Sequence, residues 1–133
     1  MAHVEIYVHV VWATKKRARI LSKNQRDLLF KHIEENAMEK SIRIDCINGY
    51  LDHVHCLIRL AADQTIAKVL QQIKGEASHW ANKNEIFPCK LDWCEDYYAA
   101  SVSKSHLGKV RAYIYAQEAH HRDDTCESEY ELK

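Results

Sequence analysis

The chain carries no net charge. Its 19 lysines and arginines balance 19 aspartates and glutamates over 133 residues. Bulk attraction to a polyanion is thereby excluded, and any nucleic-acid binding must rest on local patches. No apolar run approaches the ~20 residues that a membrane-crossing helix needs. The first residues read as a strand, not a secretory signal. Five cysteines (Cys46, Cys56, Cys89, Cys94 and Cys126) are odd in number and untidily spaced, which argues against a disulfide framework. Cys46 and Cys56 fall in apolar strands and read as core fillers. Cys89 and Cys94 have no second pair nearby to complete a zinc site. These absences point to a soluble protein in a reducing, cytoplasmic setting. The length fits one domain, 1–133, able to bury a core without disulfides or structural metals. Its end, 122–133, is acidic and polar and reads as a poorly packed tail.

What is present is periodicity. Val4–Trp12 alternates, with Val4, Ile6, Val8, Val10 and Trp12 on one face, and predicts a first strand. Ser22-Lys23-Asn24-Gln25 fits a capping box opening a helix to about Lys40, with Leu29, Ile33 and Ala37 as its buried stripe. Ser41–Ile47 alternates again, setting Ile42, Ile44 and Cys46 against Ser41, Arg43 and Asp45. Asn48-Gly49 supplies a hairpin turn into a third strand, Tyr50–Leu60. Asp63 caps a second helix to about Lys83, striped by Ile66, Val69, Leu70, Ile73, Ala77 and Trp80. The single proline, Pro88, marks the loop 82–90. Leu91–Val102 reads as a broken final strand, and a last helix runs from about Ser105 to His121. The order β-α-β-β-α-β plus one helix predicts an α+β, ferredoxin-like antiparallel sheet. Both core helices cover one face, and the other stays open.

The chemistry concentrates on that second face. In the third strand, His53 and His55 project to one side, while Val54, Cys56 and Ile58 turn to the core. Two imidazoles aimed at one point make half a metal site. Tyr113 and Gln117 stand one turn apart, ~6 Å along the axis at ~1.5 Å per residue. His120 or His121 shares their helix face. Leu107, Val110 and Ile114 form an adjacent seam that could dock the helix. Tyr115 is the competing hydroxyl, but it points about 160° from the Gln117 direction on a helical wheel. A divalent ion at His53 and His55 could stabilise charge at phosphorus. A tyrosine, protonated at neutral pH with pKa ~10, would gain nucleophilicity beside it. Lys15, Lys16, Arg17 and Arg19 form one basic patch, and Lys68 and Lys74 lie on the second helix; both are candidate DNA contacts. Asp52 reads as a turn or supporting residue facing away from the histidines. Each piece alone has a plain structural counterpart: a solvated His pair, a packing tyrosine, a solvating lysine.

Four blocks together resemble the single-tyrosine HUH (His-hydrophobic-His) transposases, the insertion-sequence-200 type enzymes and their relatives associated with repetitive extragenic palindromes. They are Val10–Arg17, Gly49–His55, Ile73-Lys74-Gly75 and Tyr113–His121, in the family's order. The resemblance implies a single-stranded DNA substrate, often with a hairpin. It implies Mg²⁺ or Mn²⁺ held by His53, His55 and Gln117. Tyr113 would attack the scissile phosphate, giving a 5′-phosphotyrosine and a 3′-hydroxyl, and a second 3′-hydroxyl would rejoin the strands. It also implies a homodimer whose active sites combine histidines of one subunit with the tyrosine helix of the other. Imidazole ligands by themselves would suggest zinc. The alternatives are a non-enzymatic single-stranded nucleic-acid binder, a larger HUH nickase and a small zinc hydrolase. A binder stacks bases on strand aromatics, where this third strand has histidines. Length disfavours the nickase, and a zinc hydrolase needs no tyrosine.

Overall fold

The structure, a computed structural model, describes residues 3–117. The elements run β1 (Ile6–Thr14), α1 (Lys23–Glu39), β2 (Arg43–Gly49), β3 (His53–Leu60), α2 (Ile66–Lys83), β4 (Trp93–Val102) and α3 (Leu107–Tyr115). Short 3-10 turns at Lys15–Arg17 and Lys104–His106 follow β1 and precede α3. The four strands form one sheet in the order β2-β3-β1-β4, with every neighbouring pair antiparallel. The chain is thus α+β, with its two central strands carrying the longest ladders.

One face of the sheet holds the main core. Val8, Val10 and Trp12 of β1 and Val54, Cys56 and Ile58 of β3 meet Leu29, Phe30, Ile33 and Ala37 of α1. Val69, Leu70, Ile73, Ala77 and Ala81 of α2 complete it. Period two in the strands and period 3.6 in the helices bring these side chains together. At roughly 1.5–3 kcal/mol for each fully buried large side chain, this face supplies most of the driving force. Ile6, expected on the core face, is exposed at the sheet's end.

The opposite face is not open. Helix α3 packs across it, setting Leu107 and Ile114 against Cys46 and Leu57, with Tyr7, Val102 and Val110 at the margin. Arg111 bonds both oxygens of Asp45, at 2.8 and 2.7 Å. Asn48 Nδ2 donates to the carbonyls of Ile114 and Tyr115 at the end of the helix. Cys46 therefore lies on the face opposite to the expected one. The register breaks between Ile44 and Cys46, and an extra residue at Asp45 reverses the alternation that follows. Burial, then the neighbouring Asp45, pushes the Cys46 thiol up to about 12.

Three local expectations are corrected. Gly49 closes β2 instead of making the turn, which is Tyr50–Asp52 with Tyr50 N–H bonded to His53 O at 3.0 Å. A Cβ at Gly49 would lie 2.3 Å from His53 O, so close backbone approach, not a left-handed turn, demands glycine there. Thr65, not Asp63, caps α2, accepting the Lys68 N–H at 3.3 Å. Ser22 does precede α1, but its hydroxyl bonds the Gln25 side chain and no backbone N–H.

Candidate active site

Strand β3 delivers His53 and His55 to the α3 face, and both are almost fully buried, at 0% and 1% exposure. Their rings lie 5.2 Å apart between centroids and are inclined at 71°. Asp52, just before the strand, does not face away as expected. Its Oδ1 sits 2.7 Å from His53 Nδ1. Its Oδ2 accepts from Arg17 Nε at 3.2 Å. Burial raises the Asp52 carboxyl, but hydrogen bonds from His53 and Arg17, and their charges, bring it below its ordinary value. It is thus a carboxylate at neutral pH and can only accept. The proton between them therefore sits on His53 Nδ1, which donates to Asp52 Oδ1.

The turn at Lys15–Arg17 is built to hold this arrangement. Lys16 and Arg17 have φ of 58° and 55°, left-handed values that cost non-glycine residues of order 1 kcal/mol or more each. Thr14 N–H donates to Asp52 O at 2.9 Å, and Thr14 Oγ1 donates to Ala18 O at 2.8 Å. Lys15 N–H donates to Asp92 O at 2.9 Å. These bonds fasten the turn to the β2–β3 loop and aim Arg17 at Asp52.

Two rings stand against His55, and Gln117 is bonded to the backbone of one of them. His9 of β1 brings Nε2 to 2.9 Å from His55 Nδ1, with the rings stacked at 5.2 Å and 25°. Tyr113 of α3 presents its ring edge to His55 at 5.7 Å and to His9 at 6.2 Å. Gln117, just beyond α3, is fully buried and donates through Nε2 to Tyr113 O at 3.1 Å. That bond leaves Gln117 Oε1 a buried acceptor with no hydrogen-bond partner among the described residues. A lone buried carbonyl oxygen is costly in isolation. Its chemistry, like that of the His53 imidazole held by Asp52, is that of a cation ligand. Among the described residues no group of three or more His, Cys, Asp or Glu side chains is arranged to hold an ion.

The sequence over residues 2–117 matches the protein-family model described as "Transposase IS200 like". The chain belongs to the IS200-like transposase family. Among curated proteins it is similar to the ISDra2 transposase TnpA of Deinococcus radiodurans, with 22% identity over 119 residues, 85% of this chain and 84% of that protein. Solved structures share its fold, two of them as follows. One, from Deinococcus radiodurans R1 and assigned as a transposase, gives a TM-score of 0.68 at 21% identity, over 87% of this chain and 93% of that one. The other is a REP-associated tyrosine transposase bound to a REP hairpin, with a TM-score of 0.68 at 15% identity, over 91% of this chain and 72% of that one.

In this member of the IS200-like transposases, Tyr113 lies beside His55 and His9 of its own chain. Tyr115 is 63% exposed and points elsewhere. The two groups of candidate DNA-contact residues do not act as units. Arg17 is bound to Asp52, and Lys15 makes a solvent-exposed ion pair with Asp92 at 3.8 Å. Lys16 and Arg19 are exposed. Lys74 Nζ donates to the carbonyls of Cys94 and Glu95, at 2.8 and 3.4 Å, tying α2 to β4. Burial lowers its pKa. Lys68 is exposed on α2. His120 and His121 lie outside the described residues. His9 and the orienting role of Asp52 were missed. His9 shares the period-two face of Val11 and Ala13, the cross-strand partners of His55 and His53, but a lone histidine draws attention only once that register is known.

Proposed function

We propose that this protein is a metal-dependent DNA strand transferase that cleaves and rejoins single-stranded DNA in transposition. The observation that carries the reading is the contact of Tyr113 with His55, itself paired with His53, while Gln117, one turn on from Tyr113, keeps a buried acceptor oxygen. Family membership supplies the reaction class, and the β2-β3-β1-β4 order supports a ferredoxin-like scaffold. His53, His55 and Gln117 are the residues that would hold Mg²⁺ or Mn²⁺. Such an ion, when bound, would offset negative charge at phosphorus.

The chain's own residues do the rest. Asp52 and Arg17 fix the His53 ring. Tyr113 Oη bonds to the scissile phosphorus as the bond to the 3′-oxygen breaks. The phenol proton leaves with the departing 3′-hydroxyl, directly or through solvent, and the 5′-phosphate stays on the tyrosine. A second strand's 3′-hydroxyl then attacks the phosphotyrosine, re-forms the phosphodiester and returns the phenol. The number of phosphodiester bonds is conserved, so no external energy source is required. The REP-associated neighbour carries a DNA hairpin, which supports a hairpin-bearing single strand as the partner. A homodimer is compatible with this chemistry.

The test is incubation with single-stranded oligonucleotides from the gene's own flanks and Mn²⁺, followed by a denaturing gel. The wild type is expected to give a slower protein–DNA adduct. Tyr113→Phe should abolish it, since phenylalanine has no nucleophilic oxygen, while hairpin binding is retained. An adduct persisting in Tyr113→Phe would remove this tyrosine from the reaction. Tight strand binding with no adduct in the wild type would favour the non-enzymatic binder.

A further inference from the structure

We infer that His9 is a positioning residue for the His55 side chain: it accepts a hydrogen bond from His55 Nδ1–H and so holds the His55 Nε2 lone pair toward the tyrosine helix. The inference rests on the proposed ion site. Its geometry does not.

His9 stands on β1, one strand across from His55, and its cross-strand partner is Leu57, two residues from His55 on the same face. The diagonal places its Nε2 2.9 Å from His55 Nδ1, a hydrogen-bond distance. The ring stack at 25° leaves His55 little freedom to turn. The His9 ring is itself gripped edge-on by Tyr98 of β4 and Tyr113 of α3, both at 6.2 Å. A proton shared by two imidazole nitrogens belongs to one of them. If His9 donated, His55 would carry its own proton on Nε2 and could not offer that nitrogen to a cation. If His55 donates, both histidines of β3 present Nε2 lone pairs, His53 through Asp52 and His55 through His9. Only the second arrangement lets the pair act together. The two supports differ in kind: a carboxylate raises the basicity of its histidine, while a neutral imidazole fixes orientation without adding charge.

The experiment uses the full-length protein, metal-free and ¹⁵N-labelled, at about pH 8, where an ordinary imidazole is neutral. Long-range ¹H–¹⁵N spectra read which His55 nitrogen carries the proton. Two variants divide structure from positioning. His9→Phe keeps a flat ring between Tyr98 and Tyr113 but has no acceptor. His9→Gln keeps an acceptor. The wild type is expected to carry the His55 proton on Nδ1. His9→Phe should lose that preference and bind Mn²⁺, titrated without DNA, about 10–100-fold more weakly, with its thermal midpoint little changed. His9→Gln should recover most of the affinity. A wild-type His55 protonated on Nε2, or a His9→Phe protein that binds Mn²⁺ as the wild type does, would overturn the inference. Should His9→Phe fail to fold, the wild-type spectrum and the His9→Gln titration decide it. A wild type that binds no Mn²⁺ would sink the ion site instead, and the proton assignment would still decide the role of His9.

Discussion

Asp52 is the residue on which the geometry of His53 turns. It precedes the first residue of β3, so strand alternation does not govern where it points, and a period-two reading turned it away from the site. The same reading found His53 and His55, because both lie inside the ladder where the period holds. His9 lies inside the ladder too. It escaped notice because its significance is a distance between strands, and distance requires register. Removing the carboxylate with Asp52→Ala takes away the acceptor for His53 Nδ1–H and the partner of Arg17. We expect Mn²⁺ affinity to fall about 10–100-fold, measured by titration of the DNA-free protein. The pH dependence has a definite sign. The Asp52 carboxyl is depressed in the folded protein: burial opposes this, and the bonds from His53 and Arg17 prevail. Its contribution to stability is complete above the unfolded-state value of ~3.9 and fades as pH falls through the lower folded value. Asp52→Ala should therefore flatten the acid-side loss of stability below about pH 4. A variant with the wild-type slope in that range would show that the carboxylate is not coupled to the fold.

Among the elements, the helices and the two inner strands follow from apolar spacing, and the errors gather at their ends. The Asn48-Gly49 dipeptide carries the composition of a tight turn, yet the backbone uses its glycine for clearance, and the turn follows it at Tyr50–Asp52. The bulge at Asp45 cannot be read from polarity, since Ile44 and Cys46 are both apolar and only their partners tell them apart. The docking of α3 was visible as the seam Leu107–Val110–Ile114, but not the pair of bonds from Asn48, which cap the helix from a neighbouring strand. Gly49→Ala tests the clearance argument directly. Its Cβ would meet His53 O at 2.3 Å and Phe30 Cζ at 3.1 Å, so β2 must part from the start of β3. We expect a loss of about 2–3 kcal/mol, read as a lower urea midpoint with an unchanged slope. Gly75→Ala is the matched control. A Cβ there meets nothing within 4 Å, and in a helix interior alanine should gain about 0.5–1 kcal/mol. Equal effects at the two glycines would contradict the close approach at Gly49.

For the molecule as a whole, the question is whose tyrosine serves whose histidines. The family resemblance implied exchange of the tyrosine helix between subunits, whereas α3 here lies on the sheet of its own chain. Several contacts keep it there. Leu107 and Ile114 are buried against Cys46 and Leu57, each worth roughly 1.5–3 kcal/mol. Asn48 adds about 1 kcal/mol through the Ile114 carbonyl. Arg111 grips Asp45 with both arms. Moving α3 to a partner forfeits all of these unless the partner offers the same contacts, and Lys104–His106, the turn that leads into the helix, would have to absorb the change of direction. A mixing experiment distinguishes the two arrangements. Tyr113→Phe lacks the nucleophile, and His55→Ala lacks a proposed ligand. Co-expressed with different tags and purified through both, the two chains are offered single-stranded DNA and Mn²⁺. With α3 on its own sheet, every site in the mixture is missing one group, and no adduct beyond that of the separate variants is expected. With α3 exchanged, one site of each mixed dimer is complete, and adduct should return on the His55→Ala chain, which alone retains Tyr113. The tag on the shifted band thus identifies the donor of the phenol as well as the arrangement.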